Sequence, residues 1–153
     1  MTTTKKKADA PTTELLAQKY TLAMAGRQSA RYDNTTKAVG EYVGREYSHE
    51  MKVLVLQGTE TTPMEPTLPD GATRQQELVW GKKYDLYLKR LDRYDEQKAK
   101  VFTIILSQCE DAMKHHVECH GIFQKAESMR DVVTLLERIK ELAYGSNDKK
   151  YPP

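Results

Sequence analysis

The chain has little cysteine, no long hydrophobic run and almost no surplus of charge of one sign. It contains only two cysteines, and its start, MTTTKKKADAP, lacks the apolar segment of a secretory signal. Both features are typical of a protein in a reducing compartment. No apolar run approaches the roughly 20 residues that cross a bilayer. We therefore expect a soluble cytoplasmic protein that makes no contact with a membrane.

The near balance of charge limits the partners that the whole molecule can attract. The 24 basic and 22 acidic residues leave a formal charge of only +2. So small a charge does not draw a protein onto nucleic acid or an anionic membrane, and any such binding must come from a local patch. The length is sufficient for one domain that buries roughly two thirds of its unfolded surface.

The sequence also lacks the motifs of common enzymes. It has no Gly-x-Ser-x-Gly, no glycine-rich loop for phosphate and no His-Glu-x-x-His. A nucleophilic Cys109 beside a histidine would act from a helix face that the apolar spacing assigns to the core, where a thiolate is disfavoured. We therefore predict a protein without catalytic activity, cofactor or small-molecule substrate.

What the second half does contain is three amphipathic patterns, which predict helices over residues 74–94, 98–118 and 128–144. Apolar residues recur in each at the spacing of one helix face. A shift in the apolar phase predicts a break near Asp95, between the first two helices. The residues expected to share the core of this region are Trp80, Tyr87, Leu91, Ile105, Cys109, Met113, Leu136 and Ile139.

Capping residues support the outer boundaries of these helices. Thr73 with Gln76 has the form of a capping box, and Ser128 with Asp131 has the Ser-x-x-acid form of another. Gly145 stands where a left-handed C-terminal cap is expected.

The first half gives weaker helical signals. Residues 1–12 have the composition of a disordered tail. Thr12 or Thr13 then opens a predicted helix that ends near Gly26, and a second helix is predicted from about Asn34.

Two glycines and one apolar run allow more than one interpretation of the segment that begins near Asn34. Gly40 and Gly44 each weaken a helix by roughly 1 kcal/mol relative to alanine, unless a neighbouring helix needs the close approach that they allow. The run from Met51 to Leu56, MKVLVL, fits either a strand or a continued helix, and helix is favoured.

Three closely spaced prolines predict an extended linker between the two halves. Pro63, Pro66 and Pro69 prevent both a helix and a central strand between residues 58 and 73. A plain surface loop is the favoured interpretation, and a polyproline-type partner-binding segment is the alternative.

Four sequence elements in the second half occur in a recognisable order: VWGKKYDLYLKR, ILSQCEDAMKHHV, DVVTLLERIKELAY and KYPP. Together they resemble the Gag capsid region of copia-type LTR retrotransposons. There, a helix with an early Trp precedes an [Ile/Leu/Val]-x-x-Gln-Cys-x-x-x-[Met/Leu] helix, a Leu-Leu-x-x-[Ile/Leu]-Lys helix and a Tyr-x-Pro segment. The similarity extends over about residues 36 to 153 and is most specific over 78 to 153.

The resemblance implies an all-α, capsid-like domain of about five helices that associates with itself into the shell of a virus-like particle. Gag proteins of this family also package element RNA, commonly through a downstream zinc knuckle, and no such Cys-x-x-Cys element is present here. The family's chain usually continues beyond the Tyr-Pro segment, so a truncated or domesticated Gag is expected. The predicted layout is a disordered tail (1–12), an N-terminal helical segment (13–57), a Pro-rich linker (58–73), a helical capsid-like core (74–145) and a C-terminal tail (146–153).

If the chain ends before the further helices that follow in the family, apolar surface on its last helices is left uncovered. We therefore expect the stripes over residues 101–117 and 132–142 to be partly exposed and to cause self-association that persists at high salt.

A histidine and cysteine cluster is the first candidate binding site. His116, Cys119 and His120 are the candidate metal ligands, with His115 and Cys109 nearby. Their spacing is not that of a zinc knuckle or finger, which needs a close Cys pair at a tight turn. A core cysteine with surface histidines is the favoured interpretation, and chelators are expected to leave thermal unfolding unchanged.

A basic and aromatic stretch over residues 82–100 is the second candidate site. Its cations, interleaved with tyrosines, are of the kind that binds phosphate and stacks bases. The candidate contacts to element RNA are Lys82, Lys83, Lys89, Arg90 and Arg93. The favoured interpretation is a solvated charged face in which Asp85 pairs with Lys89. A helical adaptor or nucleic-acid-binding module using this stretch is the alternative function.

Overall fold

A computed structural model of the chain describes residues 17–22 and 28–144. Within these ranges the regular structure is six helices and one isolated parallel bridge between Tyr20 and Cys109. The helices are α1 (Gln28–Glu46), α2 (His49–Gln57), α3 (Arg74–Ser107), α4 (Asp111–Glu118), α5 (Phe123–Met129) and α6 (Val132–Tyr144). The predicted all-α fold class is confirmed. The predictions for residues 1–12, Gly145 and residues 146–153 lie outside the described ranges.

The centre of the fold is α6, which contacts all five other helices. Its apolar face is buried through Val132, Leu135, Leu136, Ile139 and Ala143. The first two helices pack on it as well, so both halves of the chain share one hydrophobic core. Five of the predicted core residues belong to this core: Ile105, Cys109, Met113, Leu136 and Ile139.

The first two helices form a closely packed pair. The run MKVLVL lies in α2, as favoured, and buries Met51, Leu54 and Val55. The Ser48 hydroxyl accepts a hydrogen bond from Met51 N at the start of α2, and Gly58 ends the helix in the left-handed conformation at φ 67°. Both ends of this nine-residue helix are therefore capped by residue types that suit the position.

Gly40 permits the close approach of α1 and α2. A Cβ at this position would lie 2.5 Å from Leu56 Cδ2, whereas a Cβ at Gly81, within α3, would meet no atom within 4 Å. Alanine at either position gains the same helix propensity, so comparing the two variants isolates the packing cost. We expect Gly40→Ala to be less stable than Gly81→Ala by about 1 kcal/mol, the low end of the usual cost of overpacking, because the partly exposed Leu56 side chain must shift to admit the methyl group. Urea unfolding of both variants measures the difference, and equal stabilities would contradict the close approach.

The helix predicted to end near Gly26 is wrong over residues 17–22, which are not helical. Tyr20 N donates to Gln108 O at 2.8 Å, and Glu110 N donates to Tyr20 O at 3.0 Å. The Gln108 side chain also donates from Nε2 to Gln18 O at 2.7 Å. These long-range bonds satisfy the backbone of the segment, which removes the need for helical pairing there.

The predicted break near Asp95 is also wrong, because α3 continues to Ser107. Lys98 occupies the position where the apolar spacing of the sequence is interrupted. Its stem is largely buried and its ammonium bonds Glu60, so a lysine takes the place of an apolar residue on that face. The chain instead leaves the helix at residues 108–110, where Tyr20 bonds the backbone. The predicted helix 98–118 is therefore the end of α3 followed by α4.

The start of the last helix differs from the prediction as well. Ser128 lies inside α5, a short helix that the sequence did not predict, and its hydroxyl donates to Lys125 O. Asp131 takes the capping role, because its carboxylate accepts hydrogen bonds from Thr134 N at 3.1 Å and from Thr134 Oγ1 at 2.8 Å.

Candidate functional site

The first twenty residues of α3 project beyond the hydrophobic core, and we call residues 74–93 the arm. The arm contains no buried residue, whereas the rest of α3 buries Tyr94, Val101, Phe102 and Ile105. At 1.5 Å per residue it is about 30 Å long. Such a helix needs cover for its apolar face from somewhere other than the core.

That cover comes from the proline-rich segment, and we call residues 59–69 the strap. The strap runs antiparallel to α3: Glu60 lies beside Tyr94, and Pro66 O accepts a hydrogen bond from Trp80 Nε1 at 3.2 Å. Six residues in an extended, polyproline-like conformation span about 19 Å, and the fourteen helical residues between Trp80 and Tyr94 span about 21 Å. The strap therefore matches the length of helix that it covers.

The aromatic residues of the arm face the strap and not the common core. Trp80 stacks on Tyr84 with ring centroids 5.1 Å apart, and Tyr84 lies 5.4 Å from Tyr87. Trp80, Tyr87 and Leu91 are half-buried and lie outside the core cluster, so their predicted place in a shared core is wrong. The spacing identified a covered face correctly, but periodicity does not reveal which segment covers it.

The strap is held by polar contacts at both of its ends. Tyr94 Oη donates to Glu60 Oε1 at 3.3 Å and accepts from Thr61 N at 3.2 Å. Burial, together with the charge of Glu60, raises the pKa of Tyr94 to about 12, and the charge of Glu65 raises the pKa of Tyr84. Tyrosine is already neutral at neutral pH, and the raised pKa values keep both phenols as hydrogen-bond donors in more alkaline solution as well.

A groove of about 850 Å³ lies between the strap and one side of the arm. Apolar side chains from both segments line it, including Met64, Leu68, Val79 and Leu86. Cations of the arm lie at its edge: Lys83 and Arg90.

The helical spacing gives the arm two faces of opposite net charge, one on each side of the aromatic face, and the basic face borders the groove. The basic face carries the five predicted cations, Lys82, Lys83, Lys89, Arg90 and Arg93, around Val79 and Leu86. The acidic face, further round the helix, carries Glu77, Asp85 and Asp92 together with one cation, Arg74, and with Leu78, Gly81 and Leu88. In the described part of the chain the ion pairs are Lys98 with Glu60 and Arg138 with Glu141, and the predicted Asp85–Lys89 pair does not form. The charges on both faces of the arm are thus directed to solvent.

The exposed apolar surface is on the arm and strap and not on the last helices. The stripes over 101–117 and 132–142 are buried, because α1 and α2 pack over α6, so their predicted exposure is wrong. Of the nine large apolar side chains that are exposed in the described residues, six belong to the arm and strap: Met64, Leu68, Leu78, Val79, Leu86 and Leu88.

The histidine and cysteine residues lie at and just after α4. Cys119 Sγ lies 3.6 Å from His115 Nε2, and His120 Nδ1 accepts a hydrogen bond from Ile122 N at 3.2 Å. The rings of His115 and His116 meet edge to face. Among residues 17–22 and 28–144, no three His, Cys, Asp or Glu side chains come together as a set of metal ligands.

The two cysteines differ sharply in environment. Cys109 is buried, its Sγ lies 3.6 Å from Ile105 O, and burial raises its thiol pKa to about 12, whereas Cys119 is exposed. We expect a thiol reagent to modify Cys119 rapidly in the native protein and Cys109 only on unfolding. The thiolate is the reactive form, and burial disfavours it at Cys109. Cys119→Ser should abolish the rapid reaction. Rapid modification of Cys109 in the folded protein at neutral pH would contradict its burial.

Comparison with known proteins gives no matching family model, no similar curated protein and no similar solved structure. No helix in the described ranges is both long enough and apolar enough to cross a membrane.

Proposed function

We propose that the chain is a Gag-like structural protein of the cytoplasm that associates with itself to form a particle shell. The observation that carries the proposal is the arm, a long helix outside the core whose leucine and valine side chains Leu78, Val79, Leu86 and Leu88 are about half exposed. Exposed apolar surface that is concentrated in one region usually marks an interface. The resemblance of four ordered sequence elements to copia-type Gag supplies the kind of assembly.

The proposal assigns structural roles to the residues and no catalysis. The core around α6 holds the C-terminal part of α3 rigidly, and the strap keeps the arm's aromatic face covered. A rigid projecting helix is suited to assembly because little conformational entropy is lost when it binds.

Nucleic-acid binding through the basic face is the second candidate function, and five cations on that face without ion pairs favour it. The arrangement of the aromatic residues opposes it. Trp80 and Tyr84 bond and stack within the arm and strap, so they are not free to stack on bases in the described conformation. Phosphate contacts alone bind weakly and lose affinity steeply as salt rises.

Electron microscopy and light scattering of nuclease-treated protein test the proposal. We expect particles or oligomers that form without RNA and persist at high salt, since apolar contacts are not weakened by salt. RNA binding that disappears at high salt, with no assembly of the protein alone, would favour the nucleic-acid module instead.

A further inference from the structure

We infer that the acidic face of one arm binds the basic face of the arm of a second copy, so that the chains associate head to tail. This inference rests on the proposed self-association and specifies its contact. It follows from two properties of the arm: its faces carry opposite charge, and each face also presents exposed apolar side chains.

The basic face has apolar residues at its centre. Val79 and Leu86 are 48% and 50% exposed and lie seven residues apart, which places them two turns apart on the same side of the helix. Lys83 and Arg90 lie one turn beyond each of them along that side. A partner must therefore offer apolar contact as well as negative charge, and phosphate offers only the charge.

The acidic face offers both the apolar contact and the negative charge that the basic face requires. Leu78, Gly81, Asp85, Leu88 and Asp92 follow the three-then-four spacing by which one helix contacts another. Leu78 and Leu88 are 59% and 44% exposed. Gly81 adds a gap in the middle of this face, because no atom lies within 4 Å of where its Cβ would be. A glycine inside a helix costs stability, and a close approach by a second helix is a reason for its presence.

One partner contributes its basic face to the contact and the other contributes its acidic face. This difference decides the type of assembly. A copy that binds through its basic face leaves its acidic face free for the next copy. Contacts of this heterologous kind generate rings or extended arrays and not closed two-fold dimers. The apolar side chains supply the affinity, and the complementary charges select the pairing and its orientation.

Two charge-reversed variants provide the test. Lys83→Glu with Arg90→Glu lowers the charge of the basic face from +5 to +1, and Asp85→Lys with Asp92→Lys changes the charge of the acidic face from −2 to +2. We expect each variant alone to need about tenfold or more protein than the wild type for association at low salt, because the attraction between the two faces is then lost. An equimolar mixture of the two variants should regain association as pairs, since the unaltered acidic face of the first variant can bind the unaltered basic face of the second. Sedimentation velocity of nuclease-treated samples measures both effects, with circular dichroism confirming that each variant is folded.

The matched control for the first variant is Lys114→Glu with Lys125→Glu, which changes the net charge by the same amount and in the same direction at exposed positions on α4 and α5. It should associate like the wild type. Gly81→Ala tests the gap separately: it should stabilise the folded monomer and weaken association.

Each alternative result overturns the inference in a distinct way. Unchanged association of both charge variants would place the contact elsewhere while leaving self-association intact. Loss of association without recovery in the mixture would show that the two faces do not pair. Association of the wild type that disappears on nuclease treatment would make RNA the occupant of the basic face. A wild type that remains monomeric throughout would remove the proposed function itself.

Discussion

Replacing Tyr20 with alanine should lower the free energy of unfolding by about 3–5 kcal/mol, the range for removing a large aromatic side chain from a core. Tyr20 has no exposed surface, and its ring lies 5.4 Å from that of Tyr32. Its hydroxyl shares a 2.8 Å hydrogen bond with Thr36 Oγ1. The ring therefore fixes a short non-helical segment to α1 at the point where α3 gives way to α4. Urea unfolding followed by circular dichroism measures the loss.

Tyr20→Phe is the matched control for this substitution. It keeps the ring and both backbone hydrogen bonds and removes only the hydroxyl, so we expect a loss of about 1 kcal/mol. A loss in Tyr20→Ala no greater than in Tyr20→Phe would contradict the buried position of the ring.

Replacing Leu136 with alanine should cost about 2–5 kcal/mol, as deletion of a buried leucine side chain does elsewhere. Leu136 is 5% exposed and lies on α6, the helix that every other helix contacts. The carbonyl of Leu136 also accepts a hydrogen bond from the Tyr32 hydroxyl at 3.4 Å, which joins α6 to α1. A cavity at this position therefore weakens the packing of both halves of the chain.

Leu88→Ala makes the same chemical change on the arm. We expect it to leave the stability of the fold nearly unchanged and to weaken self-association. The free energy of unfolding should change by no more than about 1 kcal/mol, since Leu88 is 44% exposed and lies outside the core cluster. Self-association should weaken, because Leu88 belongs to the acidic face. Comparable destabilisation by Leu88→Ala and Leu136→Ala would contradict the separation of arm and core.

The helices with complete local signals were predicted well from the sequence. α6 has a continuous apolar stripe, and the start of α3 has a full capping box, in which the side chains of Thr73 and Gln76 each bond the other's backbone. In α2 the helical phase of the preceding stripe outweighed the branched residues that suit a strand. These signals lie within a few residues of each other, so no distant contact was needed to interpret them.

The errors arose where a distant segment determined the local structure. Tyr20 ends α3 from nearly ninety positions away, and no local pattern indicates that contact. Lys98 concealed the continuity of α3, because its buried stem behaves as an apolar residue while its sequence identity is polar. Ser128 and Asp131 had the form of a capping box, but α5 extends over Ser128 and leaves the cap to Asp131 alone.

The sequence drew attention to the cations and the prolines of the arm and strap, but it did not predict how they are arranged. The five cations of the basic face were identified, as were the prolines of the strap. The sequence did not indicate that the strap folds back on its own aromatic helix, because extended segments carry no periodicity that specifies a partner. The exposed apolar surface was expected on the last two helices, and α1 and α2 cover those instead.

Sedimentation velocity of nuclease-treated wild-type protein over a concentration series tests the self-association most directly. The weight-average sedimentation coefficient should rise with protein concentration at both low and high salt, because the apolar side chains of the arm supply most of the affinity. A coefficient that stays at the monomer value over the whole series would contradict the assembly function.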